Sequence, residues 1–397
     1  MKNIILVDTH WASLLPLTYT RPVSLLRIGV DTMAEKWSRL LKGTISYHTQ
    51  SYLQNIYPLC ISGDNLCVNS SVLPSKELVE AIMALEEGQA LYGEKGIWIA
   101  ARMSDKHAHK PLESLKEQHF DEIALNREVE GIIRRPADLF QMNANVIETD
   151  FAALTQGRVS KDISAENMVY GDYLFVEEGA EIRGAIIDAT SPVYISKGVK
   201  ILPGTTMIGP IVLGEGTLVK MGAKIYGGTT IGPFCKVGGE INNAILLGYS
   251  NKSHDGYLGN SVIGEWCNLG ADTNVSNLKN NYSEIRLWDY QMERFVGTGT
   301  IFCGLMMGDH SKCGINTMFN SGTVVGVSAN VFGAGYQRNF IPSFSWGGPQ
   351  GMRTYRLKKA LEVADIVMER RGMTFNQNLR AVLEEVFKRS APYRRTD

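Results

Sequence analysis

The chain has 397 residues, 44% of them hydrophobic, with 40 Lys and Arg against 41 Asp and Glu and a formal net charge of −1. That length predicts two or three domains with ample core, and the balanced charge gives no overall reason to expect nucleic acid or an acidic membrane surface as partner. The six cysteines form no CxxC pair, which favours reduced structural thiols over disulfides or a metal cluster.

Asn3 to Val7 reads as a short buried strand, and Asp8 follows too soon for a signal-peptide core. No apolar run approaches the ~20 residues needed to span a bilayer, so the expected location is cytoplasmic. Val30 to Leu41 has helical periodicity, and Tyr57 to Ile61 is a second strand candidate. Ser75 to Leu85 follows Pro74 and predicts a helix capped by Ser75, with Glu77 and Glu80 in its early turns. Ala90 to Met103 predicts a hairpin turning at Gly93-Glu94-Lys95-Gly96. Arg135 opens an amphipathic segment running to Leu154, and Gln156-Gly157-Arg158 marks the expected domain boundary.

Beyond that boundary, apolar residues recur at every sixth position. One run is Ile195, Ile201, Met207, Leu213, Val219, Ile225, Ile231 and Val237; a second is Phe295, Ile301, Met307, Cys313, Phe319, Val325 and Val331. Neither a helix nor a flat strand has that period. It fits a parallel β-helix in which each hexad makes one face of a triangular coil and points its apolar residue inward. Two interruptions, Glu240 to Val262 and Asn277 to Arg294, read as loops expelled from the coil, where function often resides. Arg353 to Arg371 and Phe375 to Arg389 read as two helices parted by Gly372. The predicted fold is thus a short, Rossmann-like α/β domain over residues 1–157, a hexapeptide-repeat β-helix over 158–348, and a C-terminal helical segment over 349–397.

Two regions carry a family resemblance. Leu15-Pro16-Leu17-Thr18-Tyr19-Thr20-Arg21-Pro22-Val23 resembles the opening of sugar-1-phosphate nucleotidyltransferases. His254-Asp255-Gly256-Tyr257-Leu258-Gly259, followed by Val262-Ile263-Gly264 and Asn268, is similar to the acetyltransferase domain of bifunctional N-acetylglucosamine-1-phosphate uridyltransferase/glucosamine-1-phosphate acetyltransferases. The resemblance implies a left-handed coil, a homotrimer, and acetyl-CoA as cosubstrate. It also implies Mg²⁺ where nucleotidyl transfer is retained, and a sugar phosphate or sugar nucleotide as partner, without nucleic acid or membrane.

The same resemblance assigns catalytic roles to His254, Tyr257 and Asn268. An amine attacking a thioester must lose a proton, which suits an imidazole, and the developing oxyanion needs donors, which a carboxamide supplies. The family's paired phosphate-binding lysines are replaced by Asn242-Asn243, so Glu240, Asn242, Lys252 and Lys279 are the expected substrate-binding residues in this region. In the N-terminal domain the family's glycine-rich phosphate loop is replaced by Asp8-Thr9-His10-Trp11-Ala12-Ser13-Leu14, and its signature lysine by Val23. Arg21 and Arg27 are therefore the candidates for phosphate, and Asp64 in Ser62-Gly63-Asp64 for the metal; by spacing the metal position falls instead near Asn69-Ser70. His107 and His109 read as solvated loop residues. Three functions follow from these features: acyl transfer to an amino sugar with possible nucleotidyl transfer, nucleotidyl transfer alone on a trimerising scaffold, or sugar-nucleotide binding without catalysis.

Overall fold

The run Asn3-Ile4-Ile5-Leu6-Val7 forms β1 (Asn3–Val7), buried on both faces as its unbroken apolar sequence requires. In the computed structural model, which describes residues 3–108, 120–125, 129 and 131–394, β1 pairs in parallel with β2 (Thr44–His48) and β3 (Asn65–Asn69). Two capped helices connect these strands and the next hairpin. α1 (Met33–Leu41) starts with a capping box, Thr32 accepting from the Glu35 N–H while the Glu35 carboxylate accepts from the Thr32 N–H. α2 (Lys76–Met83) is capped by Ser75, as the sequence predicts. β4 (Gln89–Gly93) and β5 (Ile97–Met103) form the expected hairpin, and β6 (Asp121–Ala124) runs parallel to β4. The sheet order is β2-β1-β3-β5-β4-β6. Ile4, Leu6, Trp37, Leu66, Val68 and Ile82 pack into one core on its helix-covered side.

The expected strand at Tyr57 to Ile61 is absent. Pro58 offers no N–H to a ladder; its carbonyl instead accepts from Tyr47 N–H, so the segment lies beside β2 without joining the sheet. β2 itself is a polar edge strand whose alternation is too weak to stand out in the sequence.

The chain divides into two units: Met1–Leu14, Thr20–Leu26 and Asp31–Arg135 form the first; Leu15–Tyr19, Arg27–Val30 and Pro136–Asp397 the second. The division therefore falls ahead of the long helix Pro136–Thr155, which belongs with the second unit. Its fully buried Asn143 explains why. Asn143 Nδ2 donates to Gly228 O at 2.7 Å and Thr230 Oγ1 at 3.0 Å, and Oδ1 accepts from Gly29 N–H at 2.7 Å.

From Met168 to Gly348 the second unit is a parallel β-helix whose three faces are sheets of six, nine and ten strands, the last including an added terminal strand, Gly351–Thr354. On the nine-stranded face one inward ladder runs without a break through Val176, Ile195, Leu213, Ile231, Leu246, Ile263, Met307, Val325 and Ile341. Each such side chain contributes roughly 1.5–3 kcal/mol when fully buried. All eight residues of the first hexad run are inside, at most 1% exposed.

Two corrections concern the second half of the coil. Glu240 to Val262 is not a loop: strands Glu240–Asn242, Ile245–Gly248, Asn251–Lys252 and Tyr257–Gly259 continue the three faces. Shorter corners move the inward positions out of phase, to Ile241, Leu246, Lys252, Leu258 and Ile263. Phe295 and Ile301, by contrast, are not inward. They belong to the true excursion after Asn277, whose hairpin pairs Arg286–Asp289 with Arg294–Gly297, and Ile301 is 39% exposed. Two helices follow as expected, Leu357–Glu369 and Gln377–Arg389, but the first starts at Leu357 rather than Arg353, which lies in the strand Gly351–Thr354. Among the described residues no helix is long and apolar enough to cross a membrane.

Candidate functional site

In the first unit, β1 lies between β2 and β3, so successive parallel strands are added to opposite sides of it. The crevice at the carboxyl ends of such strands is where open α/β sheets bind ligands. Asp8, Thr49 and Asn69-Ser70-Ser71 come together there. Asp8 Oδ1 accepts from Val23 N–H and from Ser70 Oγ, each at 3.0 Å, and Oδ2 accepts from Thr49 Oγ1 at 2.5 Å. Burial outweighs these bonds and lifts the Asp8 carboxyl to about 7. Thr9 Oγ1 donates to Asn69 Oδ1, while Asn69 Nδ2 donates to Trp98 O at 2.9 Å. His10 Nδ1 lies 3.2 Å from Ser71 Oγ and 3.0 Å from Thr9 Oγ1.

This is a hydroxyl- and amide-rich edge around one buried carboxyl, and the sequence analysis noted its two segments without joining them. The available signal was Asp8 itself, an aspartate closing an apolar strand.

Asp64 is placed at the other end. It precedes β3 at the amino edge, and its carboxylate accepts from Arg102 Nε and Nη2 at 2.9 and 2.8 Å. Arg21 is buried in the first unit, whereas Arg27 belongs to the second, where Nη1 donates to Val30 O. Among the described residues no three His, Cys, Asp or Glu side chains cluster to hold a metal. His107 has a described backbone only, and His109 lies outside the described residues.

In the second unit, Glu240, Asn242 and Tyr257 stand on the outer side of one face. Their strands pair with Glu240 opposite Tyr257, while the alternate residues Ile241 and Leu258 point inward and are fully buried. Tyr257 Oη accepts from Asn277 Nδ2 at 3.1 Å and from Asn242 Nδ2 at 3.5 Å; Asn277 Nδ2 also donates to Asn260 Oδ1 at 2.7 Å. His254 is exposed at the corner leading into this face. Gly256 turns that corner at φ +108°, where a Cβ would meet Thr273 O at 2.2 Å, so only glycine fits.

Lys252 occupies an inward position beneath the corner, 1% exposed. Its Nζ donates to the carbonyls of His254, Asp255 and Gly238, and burial lowers the ammonium to about 8. It therefore braces the backbone that carries His254, a role the sequence did not suggest. Asn268 lies one face further round, its Oδ1 accepting from Asn251 Nδ2 at 3.3 Å. Lys279 sits in the excursion and donates to Glu284 O at 3.1 Å. The structure thus gathers Tyr257, Asn242 and Glu240 with the unanticipated Asn277 and Asn260, sets His254 at the adjoining corner, and leaves Asn268 and Lys279 outside that group.

Residues 4–159 match the model of the sugar nucleotidyl transferase family. The chain also resembles bifunctional sugar nucleotidyltransferase/acetyltransferases at low identity. The bifunctional protein GlmU of Methanocaldococcus jannaschii is 31% identical over 87 residues, 22% of this chain and 21% of that protein. The bifunctional protein GlmU of Methanococcus aeolicus is 27% identical over 222 residues, 54% of this chain and 46% of its own length. The chain thus spans less than half the length of these curated relatives. A crystal structure of a UDP-N-acetylglucosamine acyltransferase aligns with 52% of this chain and 78% of its own at 14% identity, with a TM-score of 0.24, too low to bear on the fold.

Proposed function

We propose that this chain is a transferase of sugar-nucleotide metabolism: the β-helix unit moves an acyl group from acetyl-CoA to an amino sugar, and the first unit transfers a nucleotidyl group to a sugar-1-phosphate. The observation that carries the first half is His254 at a lysine-braced corner beside the outward Tyr257, Asn242 and Glu240. His254 takes the proton from the amine as its nitrogen attacks the thioester carbonyl. The carbon–sulfur bond then breaks, and the thiol leaves with a proton. The Tyr257 hydroxyl and the amides around it bind sugar hydroxyls, and Asn268 serves the acyl group from the next face. Neutral Asn242 and Asn243, in place of an ammonium pair, favour an acceptor without its own phosphate at that point: an uncharged or nucleotide-linked amino sugar.

We propose a homotrimer assembled through the same face. Met168, Tyr170, Ile186, Ile208 and Tyr226 are all exposed on the sheet that carries Tyr257 or just beyond its strands, a stripe of apolar surface suited to a subunit seam. The proposed compartment is the cytoplasm.

The described residues do not fit a protein-built Mg²⁺ site. Asp64 is engaged by Arg102, and both oxygens of Asp8 are taken by Val23, Ser70 and Thr49. A second reading, nucleotidyl transfer alone with the β-helix as scaffold, is favoured by the family match confined to residues 4–159. Release of free CoA thiol from acetyl-CoA over a panel of amino sugars and nucleotide-linked amino sugars tests the first reading. Pyrophosphate release from UTP or dTTP with sugar-1-phosphates tests the second. Thiol release without pyrophosphate release retains acyl transfer only, and the reverse result removes it.

A further inference from the structure

Asn268 stands on the outer side of the ten-stranded face, since the alternate residues Lys252 and Leu269 point inward and are buried. Its neighbour across the ladder is Asn251, and the two carboxamides meet directly: Asn251 Nδ2 donates to Asn268 Oδ1 at 3.3 Å. Asn251 is met in turn from the C-terminal helical segment, where Arg371 Nη2 donates to Asn251 Oδ1 at 3.1 Å. All three residues belong to the second unit.

Arg371 is placed by the end of the helix Leu357–Glu369, whose buried side is Leu361, Ala364 and Met368. The Arg371 N–H donates to Met368 O at 2.9 Å, and Gly372 follows at φ +69° with its N–H on Glu369 O at 2.8 Å. The chain therefore turns away from the helix one residue after the arginine.

The two ends of a carboxamide have nearly the same shape and differ in which one donates. A guanidinium only donates, so Arg371 obliges Asn251 to turn Oδ1 toward it and Nδ2 toward Asn268. Asn268 must answer with Oδ1, which leaves Nδ2 as the atom it offers elsewhere. The oxygen that gains negative charge when an amine attacks a thioester needs a donor, and an acceptor in its place would oppose that charge.

We infer that Arg371 and Asn251 are positioning residues for acyl transfer: acting in sequence, they hold the Asn268 carboxamide with its NH2 group toward the acyl oxygen. The inference rests on the acyl-transfer reading and gives the C-terminal helices a part in that site.

Thiol release from acetyl-CoA by the full-length protein, with the fastest-reacting amino sugar of the panel above, tests it through kcat and KM. Arg371→Met and Asn251→Leu should each lower kcat about tenfold, less than the roughly 10²–10³-fold lost with an oxyanion donor itself. KM for acetyl-CoA should stay within about twofold. Because Arg371 acts through Asn251, the double variant should be no slower than the slower single one; losses that multiply would mean two independent effects and overturn the assignment. Asn251→Asp separates orientation from packing. It keeps the shape and gives Arg371 a carboxylate, so the melting temperature should hold. A carboxylate accepts from both neighbours, however, and so draws Asn268 Nδ2 toward itself and turns Oδ1 to the acyl oxygen. Its kcat should fall at least as far as that of Asn251→Leu. Wild-type kcat in Asn251→Asp, or a loss matched by a lower melting temperature, overturns the assignment. Absence of thiol release from the wild-type protein is a separate result, which removes acyl transfer itself and this assignment with it.

Discussion

Tyr257 and Asn277 meet across the point where the coil is interrupted: Asn277 Nδ2 donates to Tyr257 Oη at 3.1 Å, and the Asn277 carbonyl accepts from Cys303 N–H at 2.9 Å on the returning segment. One asparagine thus fixes the candidate tyrosine and closes the neck of the excursion. Tyr257→Phe and Asn277→Ala should each cost about 1 kcal/mol, with a coupling energy of about 1 kcal/mol in the double mutant. Urea unfolding of the four proteins measures it; additive effects would mean that the two side chains act independently.

Asp8 should make stability depend on pH. Its folded carboxyl titrates near 7 against an ordinary 3.8, so the folded state holds the proton more tightly than the unfolded one. The stabilisation is complete below pH 3.8 and is lost as pH rises to about 7, at about 1.4 kcal/mol per unit of difference. Asp8→Asn keeps an acceptor for Val23 and Ser70 and removes the charge. The variant should lose this slope between pH 4 and 7, and chemical denaturation of wild type and variant across that window is the check.

Met307 and Ile301 both belong to the six-residue spacing, but only Met307 is inside. Met307→Ala should cost about 2–5 kcal/mol, and Ile301→Ala within about 0.5 kcal/mol of nothing. Equal losses in thermal or urea unfolding would put the excursion back into the coil.

The exposed apolar stripe predicts self-association. Ile186→Lys with Ile208→Lys should convert a trimer to monomer in sedimentation velocity while leaving the circular dichroism spectrum unchanged, since both side chains project outward. A trimer that survives the double substitution would move the subunit contact to another face.

The β-helix was legible in the sequence because one inward residue per face recurs along a chain that pairs only with its neighbouring coils, and the first run of eight shows this without error. The pattern failed where corners shorten. Between Val237 and Ile263 the phase slips, and an inward lysine, Lys252, stands where an apolar residue was sought. It failed also where the excursion outside the coil kept the period by coincidence at Phe295 and Ile301. The site was legible in part. The family resemblance pointed to His254 and Tyr257, which the structure sets at one corner and on the face it opens, but the sequence does not reveal that Asn277 reaches back to Tyr257 or that Asn268 turns onto a different face. At the edge of the first unit, Asp8, Thr49 and Ser70 converge only through parallel pairing of β1 with β2 and β3, a relation among distant segments that no local motif carries.

The central claim is that His254 accepts the amine's proton during acyl transfer. The most direct test is the rate of thiol release from acetyl-CoA by full-length wild type and His254→Ala with the best amino-sugar acceptor. Fold and oligomeric state are confirmed for both proteins. The account predicts a fall of about 10²-fold or more, with loss of the acid limb of the wild-type pH–rate profile. Turnover by the folded variant at the wild-type rate, with the same profile, would contradict it.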